Sequence, residues 1–404
     1  MRRPLLPSAA LLGLVGLFSA CSVETTGAGP TGAPPPAATA TPTPGGGSSS
    51  GGDPTPKPPE KTATTIRVHY TGRPGALSLR GSAAGLSWDA SAPLADEGAG
   101  TFTWKSEAVT AALEVKPMLD GAWSKGPNYR VKPGATLDVY PRFATDAGAY
   151  EKKWPAFTST ALPSTRGVWI YLPPTYLENQ AARFPVLYMH DGQNLFSKDT
   201  AFGGNEWKVD ETLDAGAYDG SIREVIVVGV ENTAARIDEL TPTSDPGYGG
   251  GKLPQYLAMV RTEIKPLVDA TFRTIPGREA TGIMGSSLGG LASSHAGVVA
   301  ADVFGLVGAM SPSTWWDDRM ILGEVATTPT KPARPLRVYV DCGDAQDGLE
   351  DTKDLAAGYE AVGYTKGKDF SYVVQPGAKH NEIYWAQRLP VALSFLLGKR
   401  ADLD

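Results

Sequence analysis

The sequence predicts an α/β domain built on a mainly parallel sheet, preceded by a small all-β sandwich. Two textures and one breaker-rich stretch predict this. Residues 64–145 carry short alternating runs cut by Gly, Pro and Asp, the pattern of half-buried strands. Residues 146–404 alternate apolar strand-like runs with longer periodic segments, as in a sheet covered by helices. Residues 22–63 are Gly, Pro, Thr, Ser and Ala with hardly an aliphatic side chain, too little apolar surface to offset the entropy of ordering. At 404 residues the chain has room for two domains and tails.

Before the linker lies a targeting segment. Arg2 and Arg3 precede the apolar run "LLPSAALLGLVGLFSA", which ends at Cys21 and reads as a secretory signal over residues 1–21. "LFSAC" resembles the bacterial lipobox, with Phe18 where Leu is usual. That resemblance implies lipidation of Cys21 and a protein held at the bacterial cell envelope, periplasm-facing or surface-exposed, by its lipid anchor only. Ordinary cleavage at the same small residues would instead release a secreted protein. Residues 22–63 would then act as a tether. Cys342 is the one other cysteine, so a disulfide framework is not expected. With 43 acidic against 37 basic residues and no dense basic run, a nucleic-acid partner is not expected either. No later stretch stays apolar for the ~20 residues of a membrane span.

The sandwich strands are expected at "IRVHY", "LSLRG", "TFTWK", "LEVKP" and "TLDVYP". The string from "LSLRGSAAGLSWDASAPL" to "LEVKPMLDGAWSKGPNYRV" resembles starch-binding-type and related immunoglobulin-like carbohydrate modules, which use exposed aromatics as platforms for sugar rings. Trp88, Trp104 and Trp123 are the candidates. Trp104 sits inside an alternating strand and is expected to fill the core, whereas Trp123, in a turn-rich stretch, is expected at the surface. A domain that only packs is the alternative.

After a Gly-, Ala- and Lys-containing passage the α/β elements follow. "RGVWIYLP", "FPVLYMHD" and "REVIVVGVEN" are strands, the last nearly continuous in Val and Ile, as burial on both faces requires. "LPQYLAMVRTEIKPLVDATF" has helical periodicity. "ATGIM" is a strand and "LASSHAGVVAA" a helix rich in small residues. "GLVGAMSP" and "LRVYVDCG" are strands, "TKDLAAGYEAVGY" a helix, "DFSYVVQPG" a strand, and "EIYWAQRLPVALSFLL" the closing helix.

Between "ATGIM" and its helix stands "GSSLG". Gly285 and Gly289 remove Cβ atoms where the two backbones crowd, which leaves Ser287 at the apex of a sharp turn and Ser286 in the variable slot. A serine hydroxyl is a poor nucleophile without an adjacent base. The strand–turn–helix context predicts the order serine, acid, histidine. Of the four histidines, His69 is in the other domain, His295 is on the helix after the serine, and His190 is on an earlier strand; His380 follows the last strand. For the acid, "VYVDCGDAQDG" offers Asp341 in the strand, Asp344 and Asp347. Asp347 is chosen because the loop must carry the carboxylate outward, with Asp344 in reserve. The acid's task is to orient the imidazole and stabilise its charged form. Oxyanion donors are expected from the backbone N–H of Leu288 and from Gly192 or Gln193 in the "DGQN" loop. His190 and Asp191 would orient that loop, and Asp191 also stands as a candidate contact to substrate.

With these residues in view, positions from about 160 to 398 resemble the putative-esterase family of α/β-hydrolases, which includes esterase D, feruloyl and acetylxylan esterases and the enterochelin esterases. The matching strings are "YLPPTY", "FPVLYMHDGQNLF", "VVGVEN" with "RIDELTP", "IMGSSLGGL", "SPSTWW" and "GAKHNEIYWAQRLP". The resemblance implies an α/β-hydrolase fold and acyl transfer to water through Ser287, Asp347 and His380, with no metal or organic cofactor. It implies that Trp315 and Trp316 line the pocket, although both could be plain core. Arg236 and Glu239 are expected to pair with each other and brace a pocket wall. The expected substrate is a small-molecule or polysaccharide ester, with an acylated glycan foremost. A siderophore-type triester is the alternative substrate, and a glycan-binding lipoprotein with a scaffold hydrolase domain the alternative outside enzymes. The oligomeric state stays open.

Overall fold

In a computed structural model, residues 62–328 and 334–400 are described. The signal segment, Cys21 and linker residues 22–61 lie outside them.

Residues 64–139 form two facing sheets. One joins strands Ala95–Gly98, Thr101–Ser106, Thr64–His69 and Thr136–Val139; the other is built around Leu77–Gly81 and Leu113–Leu119. Alternation does the work here, as period-2 patterning requires. Thr64, Ile66 and Val68 are buried while Arg67 between them is exposed. Ile66 and Val68 from one sheet meet Leu79, Leu113 and Val115 from the other in a single core. Trp104 packs against that core as expected. Trp123 is 42% exposed, with the Arg80 guanidinium 5.0 Å from its ring centroid and Trp88 at 6.1 Å.

The second sheet has eight strands: β1 (Ala149–Thr158), β2 (Thr165–Leu172), β3 (Val186–His190), β4 (Ile226–Val230), β5 (Thr281–Ser287), β6 (Leu306–Pro312), β7 (Arg337–Gly343) and β8 (Phe370–Gln375). Their spatial order is β1-β2-β4-β3-β5-β6-β7-β8. β1, β2 and β4 pair antiparallel; the rest of the sheet is parallel. Each central strand feeds two cores. Val186 and Tyr188 point to one, and Leu187 and Met189 to the other, which is why "VLYMH" is apolar throughout. Helix Leu288–Val299 packs on the first face; helices Val209–Asp219 and Glu382–Leu397 pack on the second. This is the expected α/β-hydrolase architecture. Among the described residues no helix is long and apolar enough to cross a membrane.

One difference from the sequence reading has a clear cause. The passage before "RGVWIYLP", read only as a break, is the ten-residue edge strand β1. It lacks the apolar alternation of a covered strand because nearly every residue faces solvent; Glu151, Lys152, Lys153 and Pro155 are the residues that keep an edge from pairing with other chains. Sandwich and α/β sheet are joined by side-chain contacts. The Glu178 carboxylate accepts hydrogen bonds from the Tyr70 hydroxyl at 2.8 Å and from the N–H groups of Phe143 and Ala144 at 2.9 and 2.8 Å. Asn179 Nδ2 donates to the carbonyls of His69 and Pro141. One helix end thus ties two sandwich segments to the sheet.

Candidate active site

At the C-terminal end of β5, Ser287 adopts φ 57° and ψ −122° and leads directly into helix Leu288–Val299. A non-glycine residue in this conformation costs on the order of 1–3 kcal/mol and persists only where its surroundings enforce it. The enforcement is steric. A Cβ on Gly285 would stand 2.7 Å from His190 Cδ2 and 2.9 Å from the Gly289 backbone; one on Gly289 would stand 3.2 Å from His190 Cβ. Strand, helix and the end of β3 meet at this point. Ser286 is buried at 2% exposure and Ser287 is half-buried, so only the latter presents its hydroxyl.

Asp347 follows β7 and is fully enclosed. Its Oδ1 lies 2.6 Å from His380 Nδ1. Its Oδ2 accepts the Ser311 hydroxyl at 2.7 Å and the Gly343 N–H at 2.5 Å, with Arg388 Nη2 at 3.5 Å. Burial pushes this carboxyl up, but the hydrogen bonds from His380, Ser311 and Gly343 prevail and hold it below the ordinary carboxylate range. Asp344 is exposed and accepts the Gly377 N–H instead, and Asp341 is buried against Arg388 and Tyr339. Of the three candidates, Asp347 is the one that meets the histidine. His380 sits edge-on to Trp385, with ring centroids 5.2 Å apart.

Between Ser287 and His380 no hydrogen bond is made among the described residues. The Ser287 hydroxyl faces Ser313 Oγ at 3.4 Å. Such contacts commonly tighten only when substrate is bound.

The loop after β3 is shaped to face the serine. Asp191 takes the left-handed conformation (φ 56°, ψ 46°) and starts the tight turn Gly192–Asn194. A side chain at Gly192 would collide with the Gly229 backbone. Leu288 is the first residue of its helix, so its N–H has no intrahelical acceptor. Gln193 contributes its side-chain oxygen to the Asn232 N–H at 3.3 Å, which ties the turn to the end of β4.

The Asp191 carboxylate is occupied by protein donors. It accepts two bonds from Arg236, both 2.7 Å, and one from Asn232 at 2.6 Å. Burial raises its pKa, but the Arg236 charge and these bonds lower it further and keep it ionised. The expected contact to substrate is therefore corrected: the three donors absorb the carboxylate, and Asp191 orients the loop. The expected Arg236–Glu239 pair is also corrected. Arg236 pairs with Asp191, and Glu239 pairs with the buried Arg166 at 2.9 Å, because each has a closer opposite charge from another segment than from the other. Trp315 and Trp316 part company as well. Trp315 is 45% exposed and packs edge-on to the exposed Tyr248, whereas Trp316 is 1% exposed, core, and donates to the Thr243 carbonyl.

His190 is buried, with Nδ1 2.9 Å from the Tyr256 hydroxyl, and burial lowers its pKa to about 4. The unfolded chain therefore binds a proton between about pH 6.5 and 4 that the folded chain refuses. Stability from this residue is complete above the unfolded value and lost as pH falls toward 4, by roughly 3 kcal/mol in all. Melting temperature should decline across that window, and His190→Gln should flatten the decline; an unchanged slope would show that other groups cause it.

Sequence reasoning missed Ser311, Ser313, Trp385 and Arg388. Ser311 receives hydrogen bonds from Trp385 Nε1 at 2.9 Å and Arg388 Nη2 at 2.7 Å while donating to Asp347. The one available signal was the spacing of Trp385 and Arg388, three residues apart on one face of the closing helix. Nothing local linked that face to a serine on β6.

Known proteins resemble this chain. An uncharacterized protein of Bacillus subtilis (strain 168), YbbA, is 25% identical over 245 residues, 57% of this chain and 92% of its own length. Solved structures similar in fold include a ferulic acid esterase of the anaerobic fungus Anaeromyces mucronatus (20% identity, 65% of this chain and 94% of that one, TM-score 0.48). Another is the enterobactin esterase of Shigella flexneri (16% identity, 79% and 87%, TM-score 0.49). The model of the family described as putative esterase matches residues 159–396, which begins just after β1, reaches into the last turn of the closing helix and takes in the strained serine, the buried aspartate and its histidine. The chain belongs to that esterase family.

Proposed function

We propose that the protein is a serine carboxylic-ester hydrolase that works through an acyl-enzyme. The observation carrying this reading is the 2.6 Å pairing of His380 with an ionised, buried Asp347 at the same sheet edge as the strained Ser287. In the first half-reaction Ser287 Oγ bonds to the ester carbonyl carbon and passes its proton to His380 Nε2. This requires the Ser287 hydroxyl to turn from Ser313 toward the imidazole. The N–H groups of Leu288 and Gln193 receive the negative charge that develops on the carbonyl oxygen. As the carbonyl re-forms, the C–O bond to the alcohol breaks and His380 returns the proton to the departing oxygen. Water then repeats the sequence on the acyl-serine and frees the acid. Asp347 holds the imidazole tautomer and stabilises its charged form.

For the substrate we favour an acylated glycan or a similarly bulky ester. Trp315 and Tyr248 support this, because together they offer an exposed aromatic wall two residues from Ser313, where a sugar or aryl ring could lie. A fluorophosphonate should label the full chain once, on Ser287, by peptide mass spectrometry; labelling elsewhere or nowhere would remove the nucleophile assignment. Acetylxylan, feruloyl and siderophore esters assayed side by side decide the substrate, and a preference for the siderophore triester would overturn the glycan choice.

We further propose that Cys21 anchors the protein to the bacterial envelope. Cys21→Ala should then move it from the membrane fraction to the soluble one, and an unchanged distribution would refute the anchor.

A further inference from the structure

A second cavity, of about 620 Å³, lies where the sandwich meets the sheet. Phe184 enters it just before β3, Arg223 and Glu224 just before β4, and Asp138 and Tyr140 from the last sandwich strand and its exit. These are the N-terminal ends of the parallel strands. Asp191 and Ser287 stand at the C-terminal ends. A five-residue strand is about 16 Å long, so the cavity and the nucleophile occupy opposite edges of the sheet.

The charge of the lining is unbalanced. Five basic side chains (Lys125, Arg142, Arg183, Arg223 and Arg400) face two acidic ones, Asp138 and Glu224, in a chain whose net charge is −6. Both acids already have cations. Asp138 is bound by Arg67 at 2.7 Å and His69 at 2.6 Å, and Glu224 faces Arg142 at 3.5 Å while accepting the Thr175 N–H. Lys125 pairs with Asp146, and Arg400 lies over the Tyr129 ring. Arg183 and Arg223 are exposed and have no acidic partner among the described residues. Two guanidinium groups without counter-charge in one concave site suit an oxyanion. Beside them Tyr140 is stacked on His69, with ring centroids 4.9 Å apart and planes 20° apart, and keeps 39% of its surface exposed. A flat aromatic face suits a sugar ring, and the volume falls in the range of small-molecule sites.

We propose that this cleft is a non-catalytic binding site for an anionic saccharide, a sugar unit carrying a carboxylate or a phosphate. The site stands on cavity and charge and does not depend on the hydrolytic reading. The full chain would be titrated calorimetrically with glucuronic acid, glucose 6-phosphate, glucose and inorganic phosphate. Binding of either acidic sugar above both glucose and phosphate supports the site, and which of the two binds names its oxyanion. Affinity should fall as salt is raised. It should weaken roughly tenfold or more in the Arg183→Ala, Arg223→Ala double variant and recover in part with lysine at both positions. Hydrolysis of p-nitrophenyl acetate and the melting temperature should not change, since both side chains are exposed. Glucose binding as tightly as the acids, phosphate binding as tightly as glucose 6-phosphate, no binding by any probe, or full affinity in the double variant would each overturn the proposal.

Discussion

Ser287→Ala is expected to lower kcat on p-nitrophenyl acetate by a factor on the order of 10⁴ or more, with KM changed far less. In the proposed mechanism the alanine removes the atom that bonds to the substrate carbon while leaving the turn, the proposed oxyanion donors and the Asp347–His380 pair in place. What remains should be the modest rate that binding and charge stabilisation supply without a nucleophile. Ser286→Ala is the internal control. That side chain is buried in β5, and its loss should leave the rate within about tenfold of the original. Equal rates for Ser287→Ala and the parent would end the hydrolytic account. An equal loss in both variants would mean that the β5 turn, and not one hydroxyl, had been damaged.

Asp347→Asn should be the second largest loss, also on the order of 10⁴ in kcat. The amide cannot compensate an imidazolium charge, and with its oxygen on the Ser311 hydroxyl and the Gly343 N–H its NH₂ group faces His380 Nδ1 and imposes the wrong tautomer. The variant should also melt lower, because the buried Arg388 loses a counter-charge and the hydrogen bonds to this side chain lose their charge assistance. Asp344→Asn should leave the rate nearly unchanged, since that exposed carboxylate only accepts the Gly377 N–H. Reversed effects at the two positions would move the acid to Asp344 and leave the observed contact with His380 without a catalytic role.

The legible part of this fold was its patterned part. Strands buried on both faces, such as "IVVGV", and alternating strands, such as "TTIRVH", carry their environment in their composition, because each position answers to one face. The edge strand Ala149–Thr158 carries no such record, since solvent asks nothing specific of it. The serine was legible because its turn is local: Gly285 and Gly289 are required by backbone crowding within five residues. His380 followed from chain order. Which carboxylate meets His380 depends on where the loop after β7 turns, and a run of three aspartates does not encode that direction.

By itself, the sequence determined the covered strands of the sheet, the strained turn and the identity of the group at its apex, because local sterics and hydrophobic period decide those. Only the tertiary structure decided which carboxylate meets the histidine, that Ser311 and Arg388 stand behind it, and that Arg236 pairs with Asp191 and not Glu239. It also decided that Trp315 is open while its neighbour Trp316 is core. The physical reason is common to all four. A charged or aromatic side chain is placed by partners dozens of residues away, and Coulomb attraction and packing depend on distance in space, which order along the chain does not record.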